Sequence, residues 1–405
     1  MNFRAAVEWL YGTQVHGIRP GLETTWRLVG ALAVEPARLK FIHVAGTNGK
    51  GSVCAMLDSI CRAAGLKTGL FTSPHLVTFR ERVRVDGEMI RESEVAARLT
   101  TIREIVAGWE HMPTFFEITT ALALAHFQQE QVDVVVFETG LGGRLDSTNI
   151  VTPLVSVLTP IDFDHERWLG ATLVEIAAEK AGIIKPGVPV VSARQQDEAA
   201  AVIRRVAFQQ GAPLYEVGEP VEHLAIGLVG GYQRWNAALA IRALDHAGFG
   251  IPPDAVRRGL ASVAWPGRFQ RVGERTVLDG AHNPAAARCL AQTWGEVFGE
   301  TKATLVLGVL QDKDLRGICE VLLPIATRVI TVAVQNPRSS SARELCEIIR
   351  GIAPGFPCTA AADVRDGLAS ANTFPEPILV AGSLFLVGEA LAFLQNETAM
   401  EVSAQ

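Results

Sequence analysis

An α/β fold in two units is predicted by three features of the sequence. Short apolar runs rich in β-branched residues alternate with stretches of helical periodicity, the pattern of a mostly parallel sheet covered by helices. The alternation restarts near Thr276, after a loop carrying Trp265-Pro266-Gly267-Arg268. A chain of 405 residues also exceeds what one typical hydrophobic core holds. The expected units are residues 1–270 and 271–405.

Phe41–Ala45 reads as the first strand. Val53, Met56, Leu57, Ile60 and Ala64 follow at helical spacing, and Gly65 closes that helix. Gly69–Thr72 is a further strand. Thr78–Arg84, with arginines at 80, 82 and 84, reads as a solvated strand face, the alternative being a grip on an anionic substrate. Asp133–Glu138 and Leu154–Thr159 are expected to be buried strands. Thr172-Leu173-Val174-Glu175 is a capping box opening a helix that carries Lys180, and Val188–Ser192 is the next strand. In the second unit, strands are expected at Thr276–Asp279, Thr304–Val309, Val329–Val334 and Ile378–Ala381. Neither an internal repeat nor a low-complexity tract is present, and the forty residues ahead of Phe41 leave no room for a separate leading domain.

The composition, 48% hydrophobic and 20% charged, is that of an ordinary globular chain. A net charge of -6 and a pI near 5.9 argue against a nucleic-acid or membrane-surface binder, though local arginines can still collect a small anion. The amino terminus lacks a secretory build. No apolar run approaches the roughly 20 residues of a membrane helix; Leu384–Leu394 comes nearest and Glu389 interrupts it. The six cysteines show neither C-x-x-C nor metal-ligand spacing, and they read as small buried residues in a reducing cytoplasm.

Chemistry is expected first at A-G-T-N-G-K-G-S, residues 45–52, between a strand and a helix. Glycines there let backbone amides turn toward phosphate oxygens, and the helix N-terminus adds positive potential. Lys50 would neutralise the β- and γ-phosphates of a nucleotide, and the hydroxyl of Ser52 or Thr47 would reach a metal or a phosphate. The strict G-x-x-x-x-G-K-[ST] pattern is not met, since Val44 replaces its first glycine and Gly51 follows the lysine. The alternative is a plain strand-to-helix turn.

Ligands of parallel sheets gather at the carboxyl ends of the strands. Ser73, Glu138, His165 and Lys180 fall there or just beyond, and hydroxyl, carboxylate and imidazole suit Mg²⁺ beside ATP. A carboxylate closing the run V-V-V-F is costly to bury unless it is paired or metal-bound. Gly140–Asp146 forms a glycine-rich loop that permits close backbone approach to a ligand. Asp279-Gly280-Ala281-His282-Asn283-Pro284 ends a strand and starts a helix, with its Asp and His placed to reach a nucleotide or to cap a turn.

Together these motifs resemble the folylpolyglutamate synthase/dihydrofolate synthase family, relatives of the Mur ligases. The resemblance rests on H-V-A-G-T-N-G-K-G-S at 43–52, L-F-T-S-P-H-L at 70–76, F-E-T-G-L-G-G-R-L-D-S-T-N at 137–149 and D-H at 164–165. It continues through E-K-A-G-I-I-K-P-G at 179–187, P-G-R-F-Q at 266–270, D-G-A-H-N-P at 279–284 and G-S-L-F-L-V-G-E at 382–389.

What the resemblance implies is an ATP- and folate-binding, P-loop-type domain over 1–270 and a smaller Rossmann-like ligase domain over 271–405. It implies that Thr47, Asn48, Gly49, Lys50, Gly51 and Ser52 hold the ATP phosphates. Ser73, Glu138 and His165 match magnesium ligands, and Lys180 matches a lysine whose carbamate serves a second metal. A carbamate requires a neutral amine, which burial favours. Asn236, Arg268, Asp279 and His282 match nucleotide contacts that bridge the domains. Thr114, Phe115, Phe116 and Glu117, with Leu145, Asp146 and Ser147, resemble pterin-pocket segments, and Arg82 joins them as a candidate for the anionic acceptor. Tyr232 departs from the pattern, because many members carry His there. The implied reaction transfers the γ-phosphoryl of ATP to a pteroate or folate carboxylate, and the amine of L-glutamate displaces phosphate from the acyl phosphate. Lys50, Lys180 and His282 would carry the catalysis. Dihydropteroate and reduced folates are the implied acceptors for a cytoplasmic monomer with no nucleic-acid or membrane partner.

Two other readings differ in what they require. A Mur-type cell-wall ligase places a substrate domain ahead of the phosphate loop, where only forty residues stand. A nucleotide switch or transport ATPase has no need of the Asp279–Pro284 motif or the Lys180 segment.

Overall fold

The strand Phe41–Ala45 (β1) lies at the centre of the first sheet, buried along its whole length. The computed structural model describes residues 1–17 and 19–395. Around β1 stand Thr68–Phe71 (β2), Val83–Val85 (β3), Glu88–Met89 (β4), Val134–Glu138 (β5), Val155–Leu158 (β6), Val190–Ser192 (β7) and Leu214–Glu216 (β8). Their order is β4-β3-β2-β5-β1-β6-β7-β8, parallel except for the antiparallel β2-β3-β4 edge.

The run V-V-V-F-E explains why both faces of this sheet are covered. Alternate side chains of a strand point to opposite faces. Val135 and Phe137 enter one apolar core with the helices Phe3–Gly12, Glu23–Ala31, Glu92–Val106 and Phe115–Glu130. Val134 and Val136 enter another with Lys50–Ala63, Tyr232–Ala247 and Pro253–Ser262. Register then sets the site: Val44 pairs with Glu138, Ala45 with Leu158 and Phe71 with Phe137, so these strands end at one level.

A second sheet contains Gln270–Val272 (β9), Thr276–Leu278 (β10), Ala303–Leu307 (β11), Ala326–Thr331 (β12), Cys358–Ala360 (β13) and Ile378–Ala381 (β14). Its order is β13-β12-β11-β14-β10-β9, with only β9 antiparallel. The Thr172 capping box is present, with the hydroxyl accepting from the Glu175 amide.

Three expectations are corrected. Val329–Val334 is not a strand throughout: β12 ends at Thr331, although Val332 and Val334 remain buried in a core beyond it. Arg82 is not on a solvated face. Its residues turn through a 3₁₀ segment, Phe79–Arg82, and its side chain is fully buried. Nor are all the cysteines isolated buried residues, because Cys289 and Cys358 are half-buried and the Sγ atoms of Cys346 and Cys358 lie 2.6 Å apart. Leu384–Leu394 is an eleven-residue helix, and among the described residues no helix is long and apolar enough to cross a membrane.

The two sheets meet through an inserted loop. Leu76 and Val77, which follow β2, pack into the apolar core formed by β10, β11, β12 and β14 with the helix Leu384–Leu394. Contact there is close: a Cβ added at Gly388 would stand 2.1 Å from the Leu76 carbonyl oxygen.

Candidate active site

The phosphate loop leaves β1 at Gly46, whose φ of 149° suits glycine, and reaches the helix through Gly49, which is left-handed at φ 88°. Space enforces the same choice. A Cβ at Gly46 would lie 1.9 Å from Thr159 Oγ1, and one at Gly49 would lie 2.9 Å from Asn236 Oδ1. The amides of Thr47 and Asn48 both donate to the Pro160 carbonyl, at 3.0 and 3.2 Å. Inward-facing donors therefore come from the first turn of the helix Lys50–Ala63, where N–H groups lack intrahelical acceptors. The Thr47 hydroxyl is likewise committed, donating to Asp162 O at 3.0 Å and accepting from Asp162 N at 3.1 Å. Ser52 Oγ is buried and accepts from Gln233 Nε2 at 3.4 Å. Lys50 folds back over the loop and donates to Gly46 O and Thr47 O.

Beside it lie the strand-end candidates. The Ser73 amide donates to Glu138 Oε2 at 2.9 Å, joining the ends of β2 and β5. Burial pushes the Glu138 carboxyl up, opposed by Lys50, this amide, Arg268 and Arg82. Burial also lowers His165 to about 3, so its imidazole is neutral and able to coordinate. Lys180 is 4% exposed and donates to Gly46 O at 2.9 Å. Burial, then the charge of Lys50, brings its ammonium down to about 7. Among the described residues no three His, Cys, Asp or Glu side chains form a ready-made metal cluster. The donors expected from the sequence, all lining this cleft, are one carboxylate, one hydroxyl and an imidazole. Hard oxygens with water and phosphate oxygens fit Mg²⁺ or Mn²⁺, and a cation there would compensate the buried Glu138.

Across the cleft stands the turn after β10. Both oxygens of Asp279 are taken by backbone amides: Oδ2 accepts from Phe269 N at 2.8 Å and Oδ1 from Ala281 N at 2.9 Å. This carboxylate shapes the turn that presents His282. Asn283 caps the helix Pro284–Phe298, accepting from Ala286 N, and its amide donates to Asn48 Oδ1 at 3.1 Å. His282 Nε2 faces Asp164 Oδ2 at 3.4 Å. Burial alone would raise the Asp164 carboxyl. Its bond with His282 and the ammonium of Lys313 outweigh that and hold it well below the usual carboxylate range.

The remaining wall is aromatic and small. Thr114 and Glu117 cap the helix Phe115–Glu130 reciprocally, which fixes Phe115 and Phe116 at its first turn. Phe116 lies against Gly140, where a Cβ would come within 2.4 Å of the ring. Asp146 holds the glycine loop by accepting from the amides of Gly140, Leu141 and Thr148. Arg82 lies behind this wall, with its Nε donating to His75 Nδ1 at 2.7 Å and its guanidinium 5.1 Å from the Phe115 ring.

One cleft of about 1490 Å³ is lined by every site residue expected from the sequence except Arg82. Sequence reasoning missed Asp162, Lys313 and the half-exposed Phe163 and Trp168, which line the same cleft, and named Asn283 within the Asp279–Pro284 motif without giving it a role. Asp164 was visible only as half of a D-H dipeptide, and Lys313 stands in Q-D-K-D, which carries no recognisable spacing.

Comparison with known proteins places the chain in a family. Residues 44–244 match the Mur ligase middle domain, and residues 267–384 match the Mur ligase glutamate ligase domain. The dihydrofolate synthase/folylpolyglutamate synthase of Bacillus subtilis is 36% identical, over 96% of this chain and 98% of its own length. Escherichia coli FolC, solved in complex with DHPP and ADP, superposes with a TM-score of 0.88 at 34% identity, covering 98% of both chains. The bifunctional folylpolyglutamate synthase/dihydrofolate synthase of Yersinia pestis, complexed with AMPPNP and Mn ion, gives 0.87 at 33% identity and the same coverage. With both domain models matched in order and a relative aligned over nearly its whole length, the chain belongs to the dihydrofolate synthase/folylpolyglutamate synthase family of Mur ligases.

Proposed function

We propose that this chain is an ATP-dependent ligase that joins L-glutamate to dihydropteroate, to the glutamate tail of a reduced folate, or to both. The observation that carries this reading is that one cleft holds the phosphate loop, the Asp279–Pro284 turn and the aromatic Thr114–Glu117 wall. A nucleotide end and an acceptor end thus share one space. The units 1–270 and 271–405 supply its two sides.

A carboxylate oxygen is a poor leaving group, so the acceptor carboxylate attacks the γ-phosphorus of ATP and ADP departs. The glutamate amine then attacks the acyl phosphate carbon, and inorganic phosphate leaves as the amide forms. Lys50 and the first-turn amides over Gly49–Ser52 hold the transferring phosphoryl group and spread its charge. Ser73, Glu138 and His165 hold a divalent cation, which supplies charge neutralisation at the phosphates when bound. Asn236, Arg268 and His282 meet the nucleotide, with Asp279 fixing the turn that carries His282. Phe115, Phe116 and the Leu145–Ser147 loop receive the pterin, and Arg82 supports that wall through His75 and Phe115. The covering second unit excludes water from the acyl phosphate.

Lys180 enters as a carbamate, formed when its neutral amine adds CO₂ and releases a proton. Burial supports this by favouring the neutral amine. The test of the whole reading is an acceptor-dependent assay with Mg²⁺ and ATP. Phosphate release is expected only when L-glutamate and either dihydropteroate or tetrahydrofolate are both present, and comparing the two acceptors tells a single activity from a dual one. Equal hydrolysis without either acceptor would sink the ligase reading.

A further inference from the structure

One carboxylate of the first unit, Asp164, meets three polar side chains of the second. Asp164 lies beyond β6 and Lys313 beyond β11, 149 residues apart in sequence, yet Lys313 Nζ donates to Asp164 Oδ1 at 2.5 Å. Both side chains are nearly buried, at 6% and 7% exposure. The second oxygen of Asp164 faces His282 Nε2 at 3.4 Å and accepts from Asn283 Nδ2 at the same distance. Asn283 in turn donates to Asn48 in the phosphate loop. A continuous polar chain therefore runs from Lys313 through Asp164 and Asn283 to the loop.

A desolvated ion pair adds little net stability, because dehydrating two charges offsets most of their attraction. Its strong effect is on register, since any other placement leaves a charge buried and unpaired. We propose that Lys313 is a positioning residue, pinning Asp164 so that the His282–Asn283 turn is held over the phosphate loop in the closed, reacting form. Lys313 acts through Asp164 and touches no reacting atom in this role. The inference rests on the ligase reading, which the acceptor-dependent assay of the unaltered chain tests separately.

The experiment compares Lys313→Met, Asp164→Asn and the double variant in that assay, with thermal unfolding and ATP titration confirming that each is folded. Each single change is expected to lower kcat roughly ten- to a hundredfold, the scale of a small misplacement of reacting groups. KM for ATP and for L-glutamate should stay within about threefold, because the positioning is felt mainly in the closed, reacting form. The double variant should be no slower than the slower single, since both remove one link. If Lys313→Met does not fold, Lys313→Arg takes its place; retaining the cation, it should keep kcat within about tenfold of the unaltered chain. Losses that multiply in the double variant overturn the proposal. So does a raised KM for L-glutamate with kcat intact, which would make Lys313 a ligand of the amino acid instead.

Discussion

The ammonium groups of Lys50 and Lys180 share one acceptor, the carbonyl oxygen of Gly46, at 3.0 and 2.9 Å. Two lysines 130 residues apart are thereby gathered at the mouth of the phosphate loop. The roles proposed for them separate in experiment. Lys50→Ala should lower turnover by roughly a hundredfold or more, as removal of a charge-stabilising donor does, together with a loss of ATP affinity in calorimetric titration. Lys180→Ala should lower turnover far more than ATP affinity, with partial recovery in added acetate or bicarbonate. A carbamate signal from ¹³C-labelled CO₂, absent in the alanine variant, checks the modification directly.

Gly46→Ala tests the loop geometry without altering charge. Its Cβ would meet Thr159 Oγ1 at 1.9 Å in a backbone conformation that disfavours side chains. The expected outcome is a loss of stability of about 1–3 kcal/mol, seen in urea unfolding, and weakened ATP binding in the folded fraction.

Glu138→Gln preserves shape and removes the buried charge at the end of β5. The Mg²⁺ concentration needed for half-maximal activity should rise at least about tenfold, in line with loss of a metal-ligating carboxylate. Chelation of the metal should stop the unaltered enzyme, and added Mg²⁺ should restore it.

His43 provides a pH test away from the chemistry. Burial, then the charge of Lys185, lowers its imidazole from 6.5 to about 3, and its Nε2 pairs with Thr148 Oγ1 at 2.9 Å. An imidazole with a lowered folded pKa takes up its proton more readily in the unfolded chain. Its contribution is therefore intact above about 6.5 and is lost as pH falls toward 3. The slope is roughly 1.4 kcal/mol per pH unit for one such group. His43→Gln should flatten the unfolding free energy across that window by about one proton's worth.

The sequence showed the nucleotide side most clearly, because its signals are local. Glycines at 46 and 49, a β-rich run before them and helical spacing after them all lie between Phe41 and Ala64. The V-V-V-F-E run likewise contains its own burial pattern. Arg82 was misread because two of its three neighbours, Tyr11 and Phe115, come from distant segments, and only His75 lies close by in sequence. Lys313 was missed for the same reason, since its meaning lies in Asp164 across the cleft. The roles of Asp279 and Thr47 turned on where backbone amides point, which residue type alone does not encode.

The packing of Leu76 and Val77 into the apolar core of the second unit bears on modularity. Ser73 stands three residues from that anchor, so a metal-ligand candidate of one half is tethered to the interior of the other. A fragment cut near residue 270 would carry two bare apolar side chains and a slack Ser73 loop. Chimeras with related ligases should therefore exchange the 73–78 loop and the 384–394 helix as a matched set. A graft that separates them would join halves whose seam no longer interlocks.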